Sequence, residues 1–305
     1  MTAYIIKRSI IGVGLVIGVI IILFFITYAL GDPADFILPE DAPQEVVDAF
    51  RVRMGLDRPL YVQFASYVQG MLHGDFGTSL WQMQPTLDVF LERFPATVQL
   101  SIAAILLSGV VGCGLGAIAA AVRGSKVDRA ISLYGSLCIS SVDFWIGLLL
   151  ILLIAVQLGW LPTSGSGSFK YLILPAVTLS IRHTGRILQV TRAAIVEETS
   201  KEYVVAARAR GLPRKTILFK HMGRNAGSII FTMLGWEFVH LLNGSVLVET
   251  VFAWPGIGYL TVQAIGYRDF PLVVTIGMLT AGIVVFGNLL LDIMYAWLDP
   301  RIRYT

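Results

Sequence analysis

Charge is scarce in this chain and cysteine scarcer. Asp, Glu, Lys and Arg make up 14% of 305 residues, whereas 56% are hydrophobic and the mean hydropathy is +0.75. A soluble core cannot bury that much apolar sequence, while a bilayer solvates it. Cys113 and Cys138, the two cysteines, both sit in apolar runs, which excludes a disulfide framework and a cysteine-built metal knuckle. His73, His183, His221 and His240 are scattered without H-x-x-x-H spacing, so no metal site is expected. No G-x-x-x-x-G-K-[ST] occurs, hence this chain is not expected to hydrolyse ATP itself. No nucleophile elbow frames a serine, which removes the usual hydrolase reading.

The apolar sequence falls into runs of bilayer length. Lys7-Arg8 precedes twenty-two uncharged residues, Ser9 to Leu30, which is too long for a cleaved signal core and reads as a retained anchor. Further spans are expected over about 96–122, 130–158, 171–190, 226–248 and 271–298. Between the first two lies an insert of mixed polarity, in which Val46, Val47, Phe50 and Met54, and then the run Tyr61 to Leu72, follow helical spacing. Two short amphipathic helices at the membrane surface are the plain reading. In the second span Ser108, Gly112, Gly116 and Ala120 recur every four residues, a small-residue face suited to close helix packing. With six spans and both ends inside, six of the 23 basic residues (Arg51, Arg53, Arg58, Arg93, Lys170 and Arg268) fall outside, so positive charge is concentrated on the cytoplasmic side.

One polar stretch interrupts the second half of the chain. Thr191 to Asn225 carries eight Lys or Arg against Glu197, Glu198 and Glu202, a net of +5. At its centre, Glu202 to Leu212 reads as an Ala-rich helix with Gly211 at its end and Pro213 blocking continuation. Flanked by spans and without interleaved aromatics, the stretch makes a poor nucleic-acid site. Its order is specific: Tyr203-Val204, then Ala207-Arg208-Ala209-Arg210-Gly211-Leu212, then His221-Met222-Gly223-Arg224-Asn225. This resembles the EAA-type coupling loop of ABC-importer permeases, specifically the dipeptide/oligopeptide/nickel family. Val205 stands where the wider motif has Glu, and Gly227-Ser228 replaces an apolar-Pro pair. The resemblance extends to Gly55-Leu56-Asp57-Arg58-Pro59-Leu60-Tyr61-Val62-Gln63, to Gly74-Asp75-Phe76-Gly77, to Phe252-Ala253-Trp254-Pro255-Gly256 and to Asp299-Pro300-Arg301-Ile302-Arg303.

The resemblance implies an all-α membrane protein of about six transmembrane helices, the type I ABC importer permease, with an extracytoplasmic helical insert between helices 1 and 2. The expected organisation is an N-terminal transmembrane helix (1–30), the insert (31–93), a five-helix importer domain (94–298, coupling loop 191–225) and a cytoplasmic tail (299–305). The implied function is a permease subunit forming half of a peptide path in a binding-protein-dependent importer. The same architecture could carry nickel or another chelated metal. Its implied partners are a second, homologous permease, two cytoplasmic ATPases that bind ATP and Mg, an extracytoplasmic binding protein and membrane lipid, in a bacterial or archaeal inner membrane. No cofactor and no nucleic acid are implied for this chain. Contact with the ATPases falls to Glu202, Tyr203, Ala206, Ala207, Ala209, Gly211 and Leu212.

Ionisable residues inside spans need a partner, a wet cavity or a function. Asp143 lies midway along the third span, Arg182, His183 and Arg186 in the fourth, Glu237 and His240 in the fifth, and Asp292 late in the sixth. The family usually reads Ser-x-Pro-Ser-Phe-Trp where this chain has Ser140-Ser141-Val142-Asp143-Phe144-Trp145, losing a proline and gaining an acid. Asp143, Arg182, Glu237 and His240 are the candidate residues of a translocation path. The alternative is an internal ion pair that only holds spans together. Two readings of another class remain: an ion-coupled secondary transporter using the acids as proton sites, and a non-transporting scaffold.

Overall fold

The computed structural model describes residues 2–29, 43–54, 57–213, 216–217 and 222–298. Gly31-Asp32-Pro33, Gly55-Leu56, Arg214-Lys215, Lys220-His221 and the terminal Asp299 to Arg303 lie outside the described residues. Twelve helices are described: α1 (Thr2–Ala29), α2 (Gln44–Met54), α3 (Leu60–Leu72), α4 (Thr86–Ala121), α5 (Lys126–Ser140), α6 (Asp143–Leu150), α7 (Phe169–Glu198), α8 (Glu202–Ala209), α9 (Gly223–Gly244), α10 (Val246–Val251), α11 (Ile257–Gly266) and α12 (Phe270–Leu298). Among the described residues the only β-type pairing is an isolated bridge between Thr78 and Pro85. Three helices are long and apolar enough to cross a bilayer, within Arg8–Phe25, Thr86–Ala121 and Phe270–Met294. Many of their side chains, such as Ile10, Leu106 and Val110, are exposed, as lipid-facing positions are.

The third expected span, continuous from 130 to 158, is corrected. It is two helices, α5 and α6, bent by 101° at Ser141–Val142. Both residues are extended (ψ 148° and 117°), and Ser141 Oγ donates to the Cys138 carbonyl at 2.6 Å, closing α5. Asp143 therefore opens a helix instead of lying mid-span. Beyond Leu150 the helix widens into a π-helical turn, Ile151–Gln157.

The chain divides into two compact units, one of residues 96–255 with 287–305, the other of residues 2–95 with 256–286. In the first, α7 is the central element. A Cβ on Gly116 of α4 would lie 2.7 Å from the Leu188 carbonyl, and one on Gly185 of α7 would lie 2.5 Å from the Gly135 carbonyl of α5. Only hydrogen fits at either contact, so α4 and α5 pack backbone-close on α7. The small-residue face expected on α4 is used: Gly112 and Gly116 meet α7, and Ala120 joins Ala194 and Ile195 in a buried cluster.

In the second unit, α1 packs on α12 through Gly12 against Val285 and Leu23 against Gly277. The two short helices expected in the insert are α2 and α3, and Phe64 of α3 meets Phe24 of α1 edge-on at 5.2 Å. Asp269, fully buried, accepts from Ser79 Oγ at 2.5 Å, from Trp81 N at 3.1 Å and from Leu272 N at 3.2 Å. That one carboxylate fixes the loop before α4 to the start of α12.

Gly185→Leu is expected to destabilise the folded chain by about 1–3 kcal/mol or more through overpacking against α5. Gly114→Ala, on the open face of α4 with nothing within 4 Å, is expected to be neutral or slightly stabilising. Thermal melting of the purified protein in detergent reads both.

Candidate functional site

Two places in the α7-centred unit carry the sequence-expected residues. The first is a buried ionic cluster between α7 and α9. Glu237 is wholly buried, and its Oε2 is hydrogen-bonded to His183 Nδ1. Arg186 Nη1 stands 3.5 Å from the other oxygen, Oε1, an ion pair without a hydrogen bond. Arg186 thus supplies counter-charge while His183 supplies the directed bond. Position 182 does not take part in this pairing: Arg182 Nε and Asp143 Oδ1 are both buried with no hydrogen-bond partner among the described residues. Asp143 is nonetheless within electrostatic reach of Arg182, His183 and Arg186.

His240 stands apart from the cluster. It is exposed and tilted over the Trp236 ring, centroids 4.0 Å apart, while Glu237 points inward. The two are three residues apart on α9 and differ in burial, Glu237 being wholly buried and His240 exposed. Glu249 was not singled out from the sequence, although it lies in an apolar run as Asp143 does. It is fully buried, and its Oε1 accepts from Thr97 Oγ1 at 2.8 Å and Ser245 Oγ at 2.7 Å.

The second place is α8. Lys201 leaves the chain extended, Glu202 sits in the first turn and Arg208 in the last, in line with the helix dipole. At the end Gly211 has φ +72°, its N–H donates to the Arg208 carbonyl (3.0 Å) and the Leu212 N–H to the Ala207 carbonyl (3.3 Å). This pair of bonds is the Schellman closure, which Gly permits and Pro213 terminates. Val204 and Ala207 are buried among Ala120, Ala194, Ile195, Ile217, Met222 and Ala226. Tyr203 is half-buried and donates its hydroxyl to Glu198, which also accepts from Asn225 Nδ2 at 3.3 Å. Burial first, and then that bond to a carboxylate, push the Tyr203 phenol above its ordinary pKa.

The expected contact residues consequently divide by face. Glu202, Ala206, Ala209, Gly211 and Leu212 are exposed, whereas Ala207 faces the interior and Tyr203 is held against α7. Val205, 58% exposed, belongs to the outward face and was not among the expected contacts. The result is a short ledge, latched to the end of α7, whose outer surface sets Val205, Ala206 and Ala209 among Glu202, Arg208 and Arg210.

Removing the buried acid separates a structural role from a bystander. Glu237→Ala removes the acid in contact with His183 and Arg186 and is expected to cost about 3–5 kcal/mol. His240→Ala should stay within about 0.5 kcal/mol, as exposed positions do. Melting of the two purified variants checks both expectations.

Comparison with known proteins follows this geometry. Residues 112–304 match the model of the family described as binding-protein-dependent transport system inner membrane component, and residues 1–101 match that family's N-terminal region. A probable peptide ABC transporter permease protein, y4tP, of Sinorhizobium fredii is 39% identical over the whole of both chains. The glutathione transport system permease protein GsiC of Escherichia coli K12 is 37% identical, again over the whole of both. Among solved structures, the MetNI methionine ABC transporter in an inward-facing conformation superposes with TM-score 0.60 at 18% identity, over 70% of this chain and 97% of that one. An amino acid ABC transporter gives 0.57 at 18% identity, over 69% and 94%. At that identity the structures speak for the fold, which is the type I importer permease fold. The helical unit centred on α7, the glycine-closed ledge after it and the match along nearly the whole sequence make this chain a member of the inner-membrane component family of binding-protein-dependent transport systems.

Proposed function

We propose that this chain is a peptide-carrying permease subunit that forms half of a translocation path and is driven through α8 by ATPases in trans. The observation that carries the reading is the outward face of α8, where Val205, Ala206 and Ala209 lie exposed between Glu202 and Arg208, on a helix whose inner face is buried against α7. A ledge of that shape fits a groove on a soluble partner, and a push on it moves α7 as a body. The full-length relatives named for peptide and glutathione transport favour a peptide cargo over chelated nickel. The inferred complex contains a second homologous permease, two ATPases that bind ATP and Mg, and an extracytoplasmic binding protein. Six crossings with both termini in the cytoplasm of a bacterial or archaeal cell agree with the distribution of Lys and Arg. In that arrangement residues 1–30 form the first crossing, 31–93 the extracytoplasmic insert, 94–298 the importer domain and 299–305 the cytoplasmic tail.

Within the path, Glu237 is paired with His183 and Arg186, whereas Asp143 and Arg182 are in no ion pair of their own among the described residues and are the groups we assign to cargo. A peptide brings an ammonium and a carboxylate, one for each. Their position beside the Ser141–Val142 break suits a path, because a helix break beside a cavity is where irregular backbone is tolerated in a membrane.

Two experiments test the reading on the reconstituted complex. Gly211→Pro forces φ near −65° where the chain has +72°, so it breaks the closure of α8 while leaving the spans intact. Peptide uptake is expected to fall at least about tenfold while ATP hydrolysis continues; normal coupled uptake would contradict the role of α8. Asp143→Asn is expected to weaken uptake of peptides with a free amino terminus more than that of N-acetylated ones. Equal transport of both by an assembled variant would return Asp143 to a structural role.

A further inference from the structure

The first turn of α5 holds a carboxylate with more partners than its place in a surface turn requires. Asp128 is 3% exposed. It receives both prongs of Arg192, Nε to Oδ1 at 2.6 Å and Nη2 to Oδ2 at 2.8 Å, from the last third of α7. The Gly124 N–H donates to Oδ2 at 2.8 Å and Ser132 Oγ to Oδ1 at 3.4 Å. Ser125 caps α5 by accepting from the Asp128 N–H at 3.1 Å, which fixes the turn that presents the carboxylate. A bidentate Arg–carboxylate pair is directional in two dimensions, unlike a Lys contact, so it resists shear as well as separation.

Arg192 lies six residues before Glu198, the acid to which Tyr203 of α8 and Asn225 are bonded. On the other side, α5 packs backbone-close on α7 at Gly135 and Gly185 and ends at the Ser141–Val142 break. The order is therefore α8, Glu198, Arg192, Asp128, α5, break, α6.

We infer that the Asp128–Arg192 clamp is a positioning pair that locks α5 to α7, so that movement of α8 is delivered to the helix break at Ser141–Val142. This rests on the reading of α8 as the segment driven by an ATPase. Without the clamp, α7 slides along α5 and the push is absorbed before it reaches α6. The pair touches neither cargo nor nucleotide. Its loss lowers the peptide imported per ATP while ATP hydrolysis continues.

The test uses the complete complex in proteoliposomes, with ATP inside, the binding protein and a radiolabelled peptide outside, and both uptake and phosphate release measured. Asp128→Asn keeps the shape and removes the charge; Arg192→Lys keeps the charge and removes the fork. Peptide imported per ATP is expected to fall roughly three- to thirty-fold in Asp128→Asn, with a smaller loss in Arg192→Lys. The double variant Asp128→Asn with Arg192→Gln should be no worse than Asp128→Asn alone, as for two members of one contact. If Asp128→Asn does not assemble, Arg192→Lys decides. An unchanged peptide-to-ATP ratio in an assembled variant would overturn the inference, even if its melting temperature falls. Absence of ATP-dependent uptake in the unaltered complex would instead overturn the importer reading on which it rests.

Discussion

A charge removed from water needs a partner brought to the same place, and α7 is the element that answers this for the unit built around it. It carries Arg182, His183, Arg186 and Arg192, of which His183 and Arg186 meet Glu237 and Arg192 meets Asp128. The same helix accepts the close approach of α4 at Gly112 and Gly116 and of α5 at Gly185. In lipid, where apolar side chains gain little by leaving one apolar environment for another, such contacts are what hold helices together. Ion pairs and glycine contacts on one helix thus make α4, α5 and α7 a single body.

That rigidity gives α8 its mechanical meaning. A short helix that hangs on a flexible loop transmits nothing. Here Val204 and Ala207 are packed into the cluster formed with Ala194 and Ile195, and Glu198 gathers Tyr203 and Asn225. The outward surface left over is short, with Val205, Ala206 and Ala209 between two charged residues, and Val205 adds bulk where the wider family carries an acid. In the proposed complex, binding there relies on shape and burial, with Glu202 and Arg208 at the two ends setting orientation.

Much of this was legible in the sequence where the determinants are local. α8 could be read because Ala and Arg favour a helix, Gly211 permits φ +72° and Pro213 ends the run, all within a dozen residues. The small-residue face of α4 could be read from its spacing. The break in the third span could not, because Ser141 and Val142 lie inside an apolar run without a local breaker; Ser141 turns the chain by bonding back to Cys138. Partner choice was also hidden. Glu237 and His183 are 54 positions apart, and Asp128 and Arg192 are 64 apart, so composition places the charges but not their pairing. Ser125 with Asp128 three residues on has the form of a capping signature, a local signal for the α5 start. Glu249 showed as an acid in an apolar run, with nothing nearby to point to Thr97.

The central claim is that the outer face of α8 is the surface an ATPase drives, and proximity measures it most directly. In membranes from cells making the complex, with Cys113 and Cys138 replaced by Ser, a single cysteine at Ala206 would be labelled with a short reagent that is thiol-reactive at one end and photoreactive at the other, and then irradiated. The account predicts a cross-linked product containing the ATP-binding subunit, altered in yield by ATP and vanadate, and none from a cysteine at Leu72, which is exposed on α3 in the insert. A cysteine at Ala206 that cross-links to no ATPase, in a complex competent for uptake, would contradict it.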